Sequence, residues 1–173
     1  MGKSVLVTGF TGSGKSTLRE VFRQKDYITC DIDRQFAHWV DKVTEEEQKY
    51  HVDDADMHTR IEWRLKEEDF NDWLETESNS LVMVFGTTDD LYKSLHLFDK
   101  IFLLEYTSSE TLKERLASRP IGGYGKTTHE CDAALSSYLD YQSRMKQMGA
   151  ITIDCTLPPE EIVKIIENEV NSG

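Results

Sequence analysis

A chain of 173 residues, 38% hydrophobic and 30% charged, holds enough apolar material for one layered domain and too much for a disordered chain. Its formal net charge of −12 repels a polyphosphate backbone, which disfavours long nucleic acids as partners unless a local basic groove overrides the field. No apolar run approaches the roughly 20 residues that span a bilayer. No signal-peptide pattern opens the sequence, and Cys30, Cys131 and Cys155 are spaced for neither a disulfide framework nor a metal site. Reduced thiols in a cytoplasmic protein are therefore expected.

The first element is an apolar run, Ser4 to Thr8, that leads into Gly9-Phe10-Thr11-Gly12-Ser13-Gly14-Lys15-Ser16-Thr17. The run lacks polar alternation, as a strand buried on both faces requires. The glycine-rich segment matches the GxxxxGK[ST] phosphate loop and lies between a strand and a helix, where that loop works. Glycines let successive N–H groups converge on phosphate oxygens, and the helix behind them presents the positive end of its dipole. Gly9, Thr11, Gly12, Ser13, Gly14, Lys15, Ser16 and Thr17 are thus the expected nucleotide-binding residues. Lys15 would bridge the β- and γ-phosphates of ATP, and the Ser16 hydroxyl would ligate Mg²⁺. The motif leaves the reaction open, because motors, switches, transporter subunits and kinases share it.

The second strand, Tyr27 to Asp31, runs into Ile32-Asp33-Arg34. The period of two along a strand points Asp31 and Asp33 to one side, at the carboxyl edge where ligands of open α/β sheets bind. One carboxylate could hold Mg²⁺ through water while the other takes the proton of an attacking hydroxyl. Acids capping a helix near Arg34 are the plainer alternative.

Between the second and third strands lies 34–79, a long, charged insert expected to be helical, partly exposed and laid over the acceptor, and bounded by the turn-like Glu77-Ser78-Asn79-Ser80. Its Phe36, Trp39, Trp63 and Trp73 either stack on a ring-bearing acceptor or pack the core of the insert. His38 either touches the acceptor or stands aside from it. His51 to His58 gathers ligand-type residues but lacks the i, i+4 spacing of metal helices, and reads as a wet charged face.

The third strand, Leu81 to Phe85, ends in Gly86-Thr87-Thr88, with no acidic residue at its end to take the metal. After a fourth strand, Lys100 to Tyr106, a helix over Ser108 to Ser118 opens on a Ser/Thr-rich cap with Glu110 in its first turn. Arg115 and Arg119 stand at i and i+4 and share a helix face. Guanidinium groups there suit phosphate oxygens or an adenine plane, while a basic end complementing the helix dipole is the alternative. Residues 120–127, with three glycines and Lys126, read as a short hinged lid or an ordinary connection. A helix from Thr128 to Met148 stops at Gly149. A fifth strand, Ala150 to Asp154, and a helix from Pro158 to about Val170 complete the chain. Apolar strands alternating with helices predict an α/β fold with a five-stranded parallel sheet, in a single domain over 1–173.

The phosphate loop, the Asp31-Ile32-Asp33 pair, Gly86-Thr87-Thr88 and Arg115-Leu116-Ala117-Ser118-Arg119 together resemble the small P-loop kinases of the nucleoside-monophosphate-kinase and shikimate-kinase group, over almost the whole chain. The resemblance implies a three-layer fold with an acceptor-covering insert and a lid. It also implies transfer of the γ-phosphoryl group of ATP to a nucleoside, nucleotide or other hydroxylated metabolite. By the same resemblance Asp31 is the metal-side carboxylate and Asp33 binds the acceptor hydroxyl as base. Gly86 to Thr88 line the acceptor pocket, Arg119 lies against adenine or the phosphates, and Arg115 points towards the transferring group. Thr87 and Thr88 stand where shikimate kinases carry further glycines. Asp89-Asp90-Leu91-Tyr92 stands where adenylate-type kinases carry an arginine. An anionic acceptor would therefore need Arg34, Arg60, Arg64 or Arg144. Two alternatives are a kinase of nucleic-acid 5′ ends and a regulatory ATPase without an acceptor. The first meets the net acidity, and the second leaves the aspartate pair without a use.

Overall fold

The computed structural model describes residues 3–51, 54, 56–118 and 128–172. The chain begins with β1 (Ser4–Gly9), α1 (Lys15–Gln24), β2 (Ile28–Asp31) and α2 (Ile32–Gln35). It continues with β3 (Ala37–Asp41), β4 (Glu47–Gln48), α3 (Met57–Arg60), β5 (Ile61–Leu65) and α4 (Glu67–Thr76). The remainder is β6 (Val82–Phe85), β7 (Lys100–Glu105), α5 (Ser109–Ala117), α6 (Thr128–Gln147), β8 (Ile151–Asp154) and α7 (Pro159–Asn171). Among the described residues no helix is long and apolar enough to cross a membrane.

A five-stranded sheet in the order β2-β6-β1-β7-β8 forms the middle layer, and every pairing in it is parallel. Val5 and Val7 stand beside Met83 and Phe85 and join Leu18 and Phe22 of α1 and Ile162 and Ile166 of α7 in one core. Leu6, Cys30, Val82, Val84 and Leu103 point the other way and join Phe70 of α4 and Met145 of α6 in a second core. Two cores on one sheet explain why the strands read as unbroken apolar runs: each successive side chain has its own layer of helices to bury against. Burial pushes the thiols of Cys30 and Cys155 up to about 12 and about 11, so both stay protonated at neutral pH and act as small apolar groups. The side chain of Cys131 lies outside the described part of the chain.

The insert departs from the helical expectation. Among the described residues only α4 is a long helix there. The rest is built on a three-stranded antiparallel sheet in the order β4-β3-β5, in which Trp39 stands opposite Trp63 and His38 opposite Arg64. Ile61-Glu62-Trp63-Arg64-Leu65 alternates apolar and polar, which is the signature of a half-exposed strand, although the dense charge around it favours a solvated helix.

β1 lies between β6 and β7, later strands on opposite sides of it, so the winding of the chain reverses at its carboxyl end. That reversal opens a crevice, the place where open α/β sheets hold their ligands.

Candidate active site

The phosphate loop occupies this crevice. Gly12 and Gly14 have φ of 78° and 97°, a left-handed backbone that L side chains resist. Gly14 caps α1 without any side-chain hydrogen bond, which leaves the first amides of that helix available to a ligand. The loop is pinned from behind. The Tyr106 hydroxyl donates to the Thr11 carbonyl at 2.9 Å, and a Cβ at Gly12 would meet that hydroxyl at 2.8 Å. The Thr87 hydroxyl donates to the Gly9 carbonyl at 2.6 Å. The Lys15 ammonium folds over the mouth of the loop, 2.5 Å from the Gly9 carbonyl and 3.2 Å from that of Phe10. Ser16 and Thr17 are exposed, and the buried Ser13 hydroxyl oxygen has no hydrogen-bond partner within the chain.

The two aspartates do not share a strand face. Asp31 ends β2, but Asp33 belongs to the short helix α2, because the chain turns before the period of two can carry the second acid onward. Asp31 lies 2.5 Å from Arg19 of α1 and 3.5 Å from Arg34. Asp33 faces the phosphate loop instead. Its Oδ1 accepts from the Trp63 indole at 3.0 Å, and its Oδ2 from the Thr87 amide at 3.3 Å. Burial raises the pKa of Asp33, against the lowering effects of the nearby Lys15 charge and the Trp63 hydrogen bond. Gly86 makes room for this arrangement. Its φ is 148°, and a Cβ there would stand 2.7 Å from Ile32 and 3.2 Å from the Asp33 carboxylate.

Arg115 leaves α5 towards the loop. Its guanidinium donates to the Cys155 carbonyl at 3.0 Å and lies 3.9 Å from where a Cβ of Gly14 would be. Arg119 and residues 120–127 lie outside the described residues.

The four arginines that an anionic acceptor would need are all engaged. Arg34 pairs with Asp31 and Arg60 with Asp54. Arg64 pairs with Glu45 and Glu62, and Arg144 lies over the Tyr92 ring, 4.6 Å from its centre. His38 alternates with Trp39 along β3 and faces Glu47 at 3.4 Å, away from Asp33. Phe36 and Trp73 pack with Phe70 in the second core. Trp39 and Trp63 are half-exposed beside Asp33. No group of three or more His, Cys, Asp or Glu side chains gathers as a metal site among the described residues, and much of the stretch from His51 to His58 lies outside them. Two surface hollows lined by Lys3 and its neighbours open at the amino edge of the sheet, at the far side from this chemistry.

Several contacts of the site carried no signal in the sequence. Arg19 holds Asp31 across twelve positions, and Trp63 holds Asp33 across thirty. Tyr141 of α6 hydrogen-bonds the Thr8 hydroxyl beneath the loop, and burial pushes its phenol up to about 12. Only the alternation in β5 hinted that Trp63 points to the same side as Ile61 and Leu65.

No family model matches the chain, and no curated protein matches it in sequence. Solved structures match it over nearly its whole length. A sugar kinase from Janibacter sp. HTCC2649 superposes with a TM-score of 0.59 at 16% identity, covering 99% of this chain and 95% of that one. A deoxyadenosine kinase from M. mycoides with bound dATP gives 0.55 at 15% identity, covering 97% and 99%. A shikimate kinase from Bacteroides thetaiotaomicron gives 0.51 at 16% identity, covering 98% of each chain. With a phosphate loop at the switch point of a 2-3-1-4-5 parallel sheet and an insert between its second and third strands, the chain has the fold of the small P-loop kinases.

Proposed function

We propose that the protein transfers the γ-phosphoryl group of ATP to a hydroxyl of a small molecule. The observation that carries this reading is the placement of Asp33: a half-buried carboxylate, oriented by two donors, within the field of the phosphate-loop lysine. A module that only held or hydrolysed nucleotide would have no use for such a group.

The residues fit Mg-ATP. Two left-handed glycines, the uncapped amides of α1 and the unpartnered Ser13 hydroxyl form a cradle that an anion completes. Ser16 would ligate Mg²⁺, and Asp31, steadied by Arg19, would reach the metal through water, as Mg²⁺ sites built on one or two carboxylates and nucleotide phosphates allow. Bound Mg-ATP supplies an activated phosphoryl group and neutralises part of its charge.

The chain's own residues do the rest. Asp33 binds the acceptor hydroxyl and takes its proton as the oxygen attacks the γ-phosphorus. The bond from that phosphorus to the β–γ bridging oxygen breaks, and ADP leaves. Lys15 and Arg115 supply positive charge beside the loop, where it stabilises the charge on the transferring group. In this reading Gly86 and Thr87 line the acceptor side, Arg34 stands at its margin paired with Asp31, and the assignment of Arg119 to the nucleotide rests on the sequence alone. The cytoplasm, where ATP and small metabolites are plentiful, suits this work.

The test is ADP release in Mg-ATP with a panel of nucleosides, nucleotides, hydroxylated metabolites and a 5′-hydroxyl oligonucleotide. Release that depends on one small compound is expected. Release without any acceptor, or only with the oligonucleotide, overturns the proposal.

A further inference from the structure

We infer that the acceptor is an uncharged molecule carrying a planar aromatic ring and a hydroxyl on an attached saturated part, as a nucleoside does, and that Trp39, Tyr50 and Trp63 form the wall its ring lies against. The inference rests on the reading of Asp33 as the base and narrows it to a class of acceptor.

Three observations carry it. The first is contiguity. The Trp63 indole donates to Asp33 at 3.0 Å, its ring centre lies 4.9 Å from that of Trp39, and Trp39 stacks on Tyr50 at 5.0 Å. A molecule whose hydroxyl reaches Asp33 therefore begins where the aromatic surface begins.

The second is that these rings are not needed for the core. Phe36, Phe70, Trp73 and Phe98 form a separate cluster that closes the second core around the fully buried Phe70. Trp39, Tyr50 and Trp63 stay half-exposed in an otherwise charged insert. Half-exposed rings packed on one another beside a candidate base present an aromatic surface to a planar ligand.

The third is charge. Arg34, Arg60 and Arg64 are each paired with a carboxylate, Arg144 lies on Tyr92, and Asp31 and Asp33 stand at the same edge. Asp89 adds another acid there, accepting from the Trp63 amide at 2.8 Å. A phosphate or carboxylate on the acceptor would meet this field without a spare guanidinium among these four to bind it. A saturated sugar would not be repelled, and its C–H faces can lie on an indole, but it has no planar π-face to stack along a wall of three rings. The aromatic, neutral molecule is what remains.

The experiment has two arms on the full chain. In the first, ADP release is measured with purine and pyrimidine nucleosides, their 5′-monophosphates, ribose, gluconate and shikimate. Nucleosides are expected to support turnover with kcat/KM at least tenfold above the rest. In the second, tryptophan fluorescence is titrated with the same compounds without ATP, and quenching by nucleosides alone is expected. Trp39→Leu should raise the nucleoside KM about tenfold or more with kcat within about threefold, and Trp39→Phe should restore most of the affinity. Trp39 is the position to vary because Trp63 also touches Asp33.

Turnover with ribose, gluconate, shikimate or a monophosphate as good as with any nucleoside overturns this inference and leaves phosphotransfer standing. Nucleoside quenching without turnover supports the aromatic site and overturns the kinase reading. Neither quenching nor turnover with any compound overturns both. A Trp39→Leu protein that fails to fold leaves the wild-type panel and Trp39→Phe to decide.

Discussion

Burial raises the pKa of Asp33, while Lys15 and the donors Trp63 and Thr87 lower it, and the balance stays on the raised side. A base works only when deprotonated, so kcat/KM should climb as pH rises through a pKa above the ordinary carboxylate range, then level off. Asp33→Asn should abolish this limb and lower kcat by about 10²- to 10⁴-fold, with ATP affinity by calorimetry within about threefold of wild type. Trp63→Phe removes a donor that favours the charged carboxylate. Its limb should move to higher pH, and a limb that stays in place would show that another group is titrating.

The insert and the parallel sheet meet along β5. The Asp89 amide donates to the Trp63 carbonyl at 2.7 Å, and the Asp89 carboxylate accepts the Trp63 amide at 2.8 Å. The Asp90 carboxylate takes the Leu65 amide at 3.0 Å and the Thr88 hydroxyl at 2.8 Å. The acids that stand where adenylate-type kinases carry an arginine are thus clamps, fixing the small sheet beside the end of β6. Asp90→Ala leaves two donors unpaired and should cost about 1–3 kcal/mol in urea unfolding. It should also raise the acceptor KM more than the KM for ATP, because the rings on β3 and β5 ride on this joint. Equal changes in both KM values would place the clamp outside acceptor binding. Elements with one dominant signal were legible in the sequence: apolar runs marked the five parallel strands, and glycine spacing marked the phosphate loop. The insert was not, since its strands are short, its charge is dense, and its partners lie at long range. The strand argument for Asp31 and Asp33 failed for a related reason. Periodicity holds only while an element lasts, and β2 ends between them.

Across the whole molecule, the loop proposed to cradle the nucleotide is stitched to every layer. The Thr87 hydroxyl beyond β6 holds Gly9, Tyr106 beyond β7 holds Thr11, Tyr141 of α6 holds Thr8 at the end of β1, and Arg115 links the loop side to Cys155 beyond β8. A ligand that binds the cradle therefore binds only the folded chain, and its binding free energy adds to global stability. At a concentration of Mg-ATP one hundred times its Kd, the gain is about 2.7 kcal/mol. For a chain of this size that is a Tm rise of about 5–10 °C, read by differential scanning fluorimetry. Lys15→Met should keep the Tm of the unliganded protein within a few degrees, because the ammonium donates to carbonyls of its own loop, and should lose the rise. If Lys15→Met is stabilised by Mg-ATP as much as wild type, the nucleotide sits elsewhere, and the roles given to Asp33, Arg115 and the aromatic wall fall with it.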